Sequence, residues 1–379
     1  MEKWNSKCRF FNSEYACDTL AGENYSSCEE CRFASLYSKK ILIIKLDGAG
    51  DVLRTTPILH AIKKKYGDGI LIYWMASPES ADLLKNNSLI DKVILYNLEN
   101  VLRIQQEKFD ILYSLEINTP ATLLANLVVA DEKFGFYFND GATECFNKGA
   151  ESYLETAFLN HIKLSNRRTY QDLIFESCEL EYRGEKPIFN LSAKDIEFGK
   201  KFADENNLYE SDFVVGINIG AGSKWKSKFW DNEKIKKFIQ KLPAGSKTIL
   251  LSGPNETEKK SLLLNELKKQ GISVSANNSQ NAFEEFASVI NLCDVLVTGD
   301  TLAMHIATAL GKPTIALFFS TPDWEVEGYD KMTKIQSSLL SKYFFARDYI
   351  PELVDSISVD FVLEKLSEIK KSFKQIDSN

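Results

Sequence analysis

Short aliphatic runs alternating with helical patterns constrain this chain more than any other feature. "KILIIKL", "GILIYWM", "KVILY" and "FDILYSL" in the first half each end in polar or turn residues, and amphipathic stretches such as "ILHAIKKKYG" separate them. The second half repeats the alternation with "FVVGINIG", "KTILLSG", "ISVSA", "DVLVTGD" and "PTIALFF". Nearly continuous apolar runs of strand length belong to parallel strands covered on both faces, joined by crossover helices. At 379 residues the chain exceeds one ordinary core and suits two such α/β domains.

Punctuation places the boundaries. Residues 1–38, rich in Cys, Asn, Ser and Glu and poor in aliphatic runs, read as an appended module. The first α/β domain takes residues 39–187, closing at Gly184 and Pro187; the second takes 188–358, with a helix beginning at Ser192. "SVDFVLEKLSEIKKSFKQI" carries apolar residues at three- and four-residue spacing and makes 359–379 a terminal helix.

Composition removes several classes of function. A net charge of −7 lacks the basic footprint that nucleic-acid binders use on phosphates, so no nucleic-acid partner is expected. "ATLLANLVVA" falls well short of the ~20 residues of a membrane span and reads as a buried helix. The N-terminus has no charged-then-apolar signal pattern, which points to the cytoplasm, where four clustered cysteines favour a metal over disulfides. Cys8, Cys17, Cys28 and Cys31, the last two in a CxxC, fit a tetrahedral site of four thiolates, with structural zinc as first choice and iron second; scattered reduced thiols are the alternative. Cys145, Cys178 and Cys293 sit in packed patterns and are assigned no chemistry.

Four strand ends carry the candidate chemistry. "DGAGDVLRTTP" leaves a strand through Gly48 and Gly50, both expected to adopt backbone angles closed to a residue with a Cβ. Asp51 either caps the next helix or stands at the carboxyl edge of the sheet, where open α/β folds place their ligands. "INIGAGSKWKSKFWD" brings Lys224, Lys226 and Lys228 to a glycine-rich strand end, as a phosphate-bearing ligand would require, or merely as solvated lysines. In "TILLSGPNETE", Glu256 can take ribose hydroxyls or simply start a helix. "VLVTGDTLAMHIATALGKPTIALF" runs a strand into Gly299, Asp300 and Thr301, then a small-residue helix whose free N–H groups form an anion site. There Asp300 or Thr301 alternatively serves only as an N-cap, and His305 as a packed histidine.

These motifs, in this order and spacing over residues 40 to about 325, resemble glycosyltransferase family 9, the bacterial heptosyltransferases. The resemblance implies a GT-B fold: two Rossmann-like domains facing each other across a cleft, the first for the acceptor and the second for the nucleotide-sugar donor. It implies inverting transfer of a heptose, or related sugar, from ADP-heptose to a hydroxyl of lipopolysaccharide core or another cell-surface glycan. By position Asp51 matches the catalytic base and Lys228 the lysine on the donor diphosphate. Gly50, Ser223, Glu256, Asp300, Thr301, Leu302, Ala303, Met304 and His305 complete the donor set. Where the family often has Gly-Leu-Ser before the histidine, this chain has Leu302, Ala303 and Met304, which bears on the sugar.

No cofactor is implied for catalysis, and the chain lacks the Asp-x-Asp pair of metal-dependent transferases. Glycan, lipid-linked and protein acceptors are compatible with the family, including the autotransporter-type heptosyltransferases that carry an iron on four cysteines, as is a peripheral place at the cytoplasmic face of the inner membrane. A sugar-nucleotide epimerase and a non-catalytic sugar-nucleotide-binding protein are the rival readings.

Overall fold

The structure, a computed structural model, describes residues 4–11, 17, 25–220 and 225–376. Its strands are β1 (Lys39–Ile44), β2 (Ile70–Ala76), β3 (Lys92–Leu95), β4 (Lys108–Ser114), β5 (Val129–Asn139) and β6 (Ala142–Cys145), then β7 (Phe213–Asn218), β8 (Ser246–Leu251), β9 (Ser275–Ala276), β10 (Val295–Gly299), β11 (Thr314–Phe318) and β12 (Met332–Gln336). The helices used below are α1 (Ala49–Thr55), α2 (Ile58–Tyr66), α3 (Thr119–Leu127), α4 (Tyr170–Ser177), α5 (Ala193–Glu205), α6 (Asn232–Gln240), α7 (Thr257–Lys269), α8 (Phe283–Asn291), α9 (Leu302–Ala309) and α10 (Val359–Ile376).

The strands form two six-stranded sheets, ordered β3-β2-β1-β4-β5-β6 and β12-β11-β10-β7-β8-β9. All pairings are parallel except the β5–β6 hairpin. Counted from its own first strand, each sheet has the order 3-2-1-4-5-6, the Rossmann arrangement, with a topological switch point between β1 and β4 in one and β7 and β10 in the other. The two Rossmann-like domains of the expected fold class are what forms. Burial explains the aliphatic runs: Ile41 to Ile44, Val295 to Val297 and Ile315 to Phe318 are wholly enclosed because helices cover both faces.

The chain divides into two compact units that do not follow sequence order. One holds Met1–Gly48, Pro57–Glu155 and Leu173–Glu185; the other holds Ala49–Thr56, Thr156–Asp172 and Lys186–Asn379. Strand β1 therefore belongs to the first unit, while the helix after it packs with the second. The core of the second unit gathers Val215, Ile217, Phe238, Leu250, Val297 and Leu317 with Val362 and Leu366 of α10. That of the first gathers Leu42, Ile44, Met75, Leu112 and Phe109 with Leu124 of α3.

Most aliphatic runs become the expected strands, and the helix expected at Ser192 forms with a capping box in which the Ser192 hydroxyl and the Asp195 carboxylate each accept the other's backbone N–H. "ATLLANLVVA" is different: Asn118 caps α3, which ends at Leu127, and β5 starts at Val129. Leu123, Leu127 and Val129 are 44%, 45% and 53% exposed, so this is a half-exposed helix-to-strand joint rather than a buried helix. "ISVSA" yields only the two-residue edge strand β9, because Ile272 and Val274 turn into the core instead of pairing. Strands β5, β6 and β12 carry too many charges and polar residues to read as strands, which suits positions at or next to sheet edges.

The N-terminal segment is tied to the first unit through Arg9, which pairs with Asp91 and donates from Nη2 to the Ile70 carbonyl at 2.9 Å, and through a bridge between Cys8 and Leu36. Cys8, Cys17, Cys28 and Cys31 are free thiols, Cys8 buried and the others half-buried. Among the described residues no three His, Cys, Asp or Glu side chains come together as a metal would need. The expected four-cysteine centre is therefore not assembled among the described residues. Cys8 is drawn into backbone pairing with Leu36, whereas Cys31 sits in a local turn, its N–H donating to the Cys28 carbonyl at 3.4 Å. Among the described residues no helix is long and apolar enough to cross a membrane.

Gly135 sits mid-strand in β5 with φ +90°, beside Ser114 of β4. A Cβ there would lie 1.9 Å from the Ser114 carbonyl oxygen. Gly135→Ala should therefore cost at least ~2 kcal/mol through strain and a spread β4–β5 pairing; a denaturation midpoint equal to that of the parent protein would refute this.

Candidate active site

Chemistry-bearing residues collect at the carboxyl ends of β7 and β10, the switch point of the second sheet. Asn218 ends β7, and its side-chain amide donates to the hydroxyls of Thr298 and Thr301 and to the Gly220 carbonyl, each at 3.1 Å. This ties the two strand ends together across the switch point. Thr301 precedes α9 in extended geometry, yet its side chain does not cap the helix; its hydroxyl meets Asn218 and Thr298 instead. The N-cap alternative is thus not what Thr301 does. The Met304 and His305 N–H groups donate to the Thr301 carbonyl at 3.1 and 3.4 Å, so the amides that precede the first helical acceptor are those of Leu302 and Ala303, at the end of the helix that favours anions.

Asp300 makes an ion pair with Lys228. The ammonium donates to the Asp300 carboxylate and to its backbone carbonyl, both at 2.9 Å. Burial would raise the Asp300 pKa, but Lys228 outweighs it and holds the carboxyl far below the usual range. The backbone at Lys228 reaches this place because residue 299 is glycine: a Cβ there would lie 2.0 Å from the Lys228 carbonyl oxygen. Residues 226–227 are strapped from the other side, Lys226 N–H donating to the Arg347 carbonyl at 3.0 Å and the Ser227 hydroxyl to the Asp348 carbonyl at 2.9 Å.

Helix α1 joins this group. Gly48, with φ +71°, makes the turn out of β1, as the sequence suggests. Gly50 does not share that role, since it is helical within α1. It is glycine for closeness: an added Cβ would lie 2.7 Å from His305 Cδ2, so α1 packs directly on the first turns of α9. His305 is buried and its pKa is pushed down to about 4, first by burial and then by the Arg54 charge. It is a neutral, packed histidine. Asp51 lies in the first turn of α1, neither a cap nor a turn residue, with its carboxylate 2.8 Å from Arg54 Nη2. Its side chain is 44% exposed.

Of the remaining sequence candidates, Glu256 sits in a short 3-10 turn with its carboxylate against Gly220 and Gly253, at the end of β7 rather than beside Lys228. Ala303 and Met304 are buried, and Met304 packs on Ala316 and Phe318, leaving only their backbone for a ligand; the side chain of Leu302 is half-buried. Ser223 lies outside the described residues, as does Lys224. Asn218, Arg54 and Glu325 join the site although no motif singles them out. Asn218 does carry a visible signal, a buried polar residue closing an apolar strand. Glu325 has none, and burial pushes its pKa up despite Lys163 at 3.9 Å.

The unfolded chain protonates its histidine near pH ~6.5, whereas His305 in the fold resists protonation down to about 4. The unfolded state therefore binds more protons between those values, and stability falls as pH drops through that window. Asp300, held low in the fold, adds loss in the same direction through the carboxylate range. Thermal melts from about pH 7 to 4 should show this decline, and His305→Gln should flatten its upper part. An equal slope in that variant would contradict the assignment.

Comparisons with known proteins give the family and the fold. The family described as Glycosyltransferase family 9 (heptosyltransferase) matches residues 103–344, well over half of the chain, including Lys228, Glu256 and Asp300 to His305. Lipopolysaccharide heptosyltransferase 1 of Campylobacter coli is 22% identical over 307 residues, covering 75% of this chain and 85% of that protein. Among solved structures, the glycosyl transferase family 9 protein of Veillonella parvula superposes with a TM-score of 0.69 at 18% identity, over 88% of this chain and 98% of that one. The E. coli ADP-heptose lipopolysaccharide heptosyltransferase II does so with 0.64 at 15% identity, over 88% and 99%. Family model, curated relative and fold converge: the chain belongs to glycosyltransferase family 9, the heptosyltransferase family, and is a glycosyltransferase.

Proposed function

We propose that the protein transfers a heptose, or a closely related sugar, from ADP-heptose to a hydroxyl of lipopolysaccharide core with inversion at the anomeric carbon. The observation that carries this reading is the packing of α1 on α9, which puts a half-exposed carboxylate, Asp51, in the same compact unit as the Lys228–Asp300 pair. Asp51 removes the proton of the acceptor hydroxyl as its oxygen attacks the anomeric carbon. The bond to the diphosphate breaks with its electron pair leaving on the nucleoside diphosphate. Lys228 and the first-turn N–H groups of α9 stabilise that growing charge, and Glu256 takes the ribose hydroxyls. Asp300 holds the Lys228 ammonium in place and accepts hydrogen bonds from the sugar.

The names of the relatives support a lipopolysaccharide acceptor and ADP-heptose as donor. A protein acceptor is the second reading, favoured by the appended cysteine-bearing segment on the first unit. The two are separated by mass spectrometry of products after incubation with ADP-heptose and either heptose-free lipopolysaccharide core or candidate proteins.

Asp51→Asn should reduce turnover by roughly the 10²–10⁴-fold that general bases contribute, with donor affinity nearly unchanged. Wild-type turnover in that variant would remove Asp51 as base. Lys228→Ala should instead weaken binding of ADP, measured by calorimetry, by about tenfold or more, as loss of a charged hydrogen bond does. This chemistry routes no step through a divalent ion, so EDTA in the assay should leave the rate within about twofold; loss of activity restored by magnesium would overturn that part.

A further inference from the structure

Arg54 takes no part in the chemistry above, yet its surroundings are unusually constrained. An ordinary i,i+3 ion pair on a helix surface is solvated and contributes a few tenths of a kcal/mol. Here the Arg54 side chain is only 17% exposed, and its guanidinium lies over the Tyr170 ring, 3.8 Å from its centroid. Tyr170 is itself buried at the start of α4, with its hydroxyl 2.6 Å from the Thr55 hydroxyl. The Thr55 hydroxyl is in turn 2.6 Å from the Asp51 carbonyl oxygen, to which it donates. Gln171 donates from Nε2 to the Arg54 carbonyl at 3.4 Å. Both the side chain and the backbone of Arg54 are thus held by one segment, Tyr170 and Gln171, which lies in the same compact unit as α1.

We propose that Arg54, clamped on Tyr170, is the positioning residue of the base: it fixes the direction of the Asp51 carboxylate and keeps it ionised. The proposal rests on Asp51 being the base. Arg54 itself exchanges no proton. The acceptor proton passes to Asp51, and the positive charge beside it favours the carboxylate form between turnovers while making it a weaker base. The other charged groups acting here are Asp300 and Lys228, which pair with each other, and Glu325, which pairs with Lys163; His305 is neutral. Arg54 is in direct contact with Asp51, and its charge also reaches Asp300, His305 and Glu325.

The experiment follows ADP release from ADP-heptose, with heptose-free lipopolysaccharide core or water as acceptor, across about pH 4 to 9, the span over which a carboxylate base titrates. In Arg54→Gln we expect the acid limb of kcat/KM to move up by about one pH unit. The plateau kcat should fall roughly 10–100-fold from lost orientation, with KM for ADP-heptose within about twofold. Arg54→Lys keeps the charge but not the planar stack, so it should restore the acid limb and only part of kcat. A wild-type acid limb and wild-type kcat in Arg54→Gln would overturn the proposal. So would a raised donor KM at unchanged kcat, which would make Arg54 a donor-binding residue. If Asp51→Asn keeps full turnover, the base reading fails first; if Asp51→Asn is dead and Arg54→Gln keeps the parent pH profile, only the role of Arg54 fails.

Discussion

The site depends on a contact that only a glycine permits. Because Gly50 has no Cβ, α1 approaches α9 until His305 lies against its backbone, and that approach places Asp51 with the residues around Lys228. A second glycine acts in the same way on the other side: Gly299 lets the backbone of Lys228 close onto the end of β10. Two missing methyl groups therefore let α1 meet α9 and the backbone of Lys228 meet the end of β10. His305 bears the consequence: burial, and then the Arg54 charge, push its pKa down to about 4, so it is neutral near pH 7.

The charges of this unit pair: Lys228 with Asp300, Lys163 with Glu325, Arg54 with Asp51. Pairs of this kind matter less for stability than for keeping partly buried ions tolerable until a ligand shares them. An ammonium that already donates to both the side chain and the carbonyl of Asp300 is fixed in direction, a preorganised donor rather than a flexible lysine. The positive end of the α9 dipole, at Leu302 and Ala303, adds to the same field.

Much of the fold was legible because burial on both faces leaves a direct mark in sequence: the central strands β1, β2, β4, β7, β8, β10 and β11 are nearly continuous aliphatic runs. The margins were not legible, since β5, β6 and β12 carry charge and lie at or next to the sheet edges, and β9 shrinks to two residues. Strand-end motifs marked Asp51, Lys228 and Asp300 as candidates, because small residues must close a strand into a helix. Arg54, Glu325 and Lys163 sit on ordinary helix or loop positions, where a site residue and a surface residue look alike.

The sequence by itself determined the alternation of buried strand and helix, the glycine-rich turns at strand ends and the family these motifs belong to. The first two follow from local rules of periodicity and backbone freedom, and the family from the resemblance of its motifs. Only the tertiary structure decided which glycine turns the chain and which makes room, and that α1 packs with the second unit although its strand lies in the first. It also decided that the four cysteines do not converge among the described residues. These are matters of long-range packing, in which residues far apart along the chain compete for the same few ångströms, and no spacing encodes who yields.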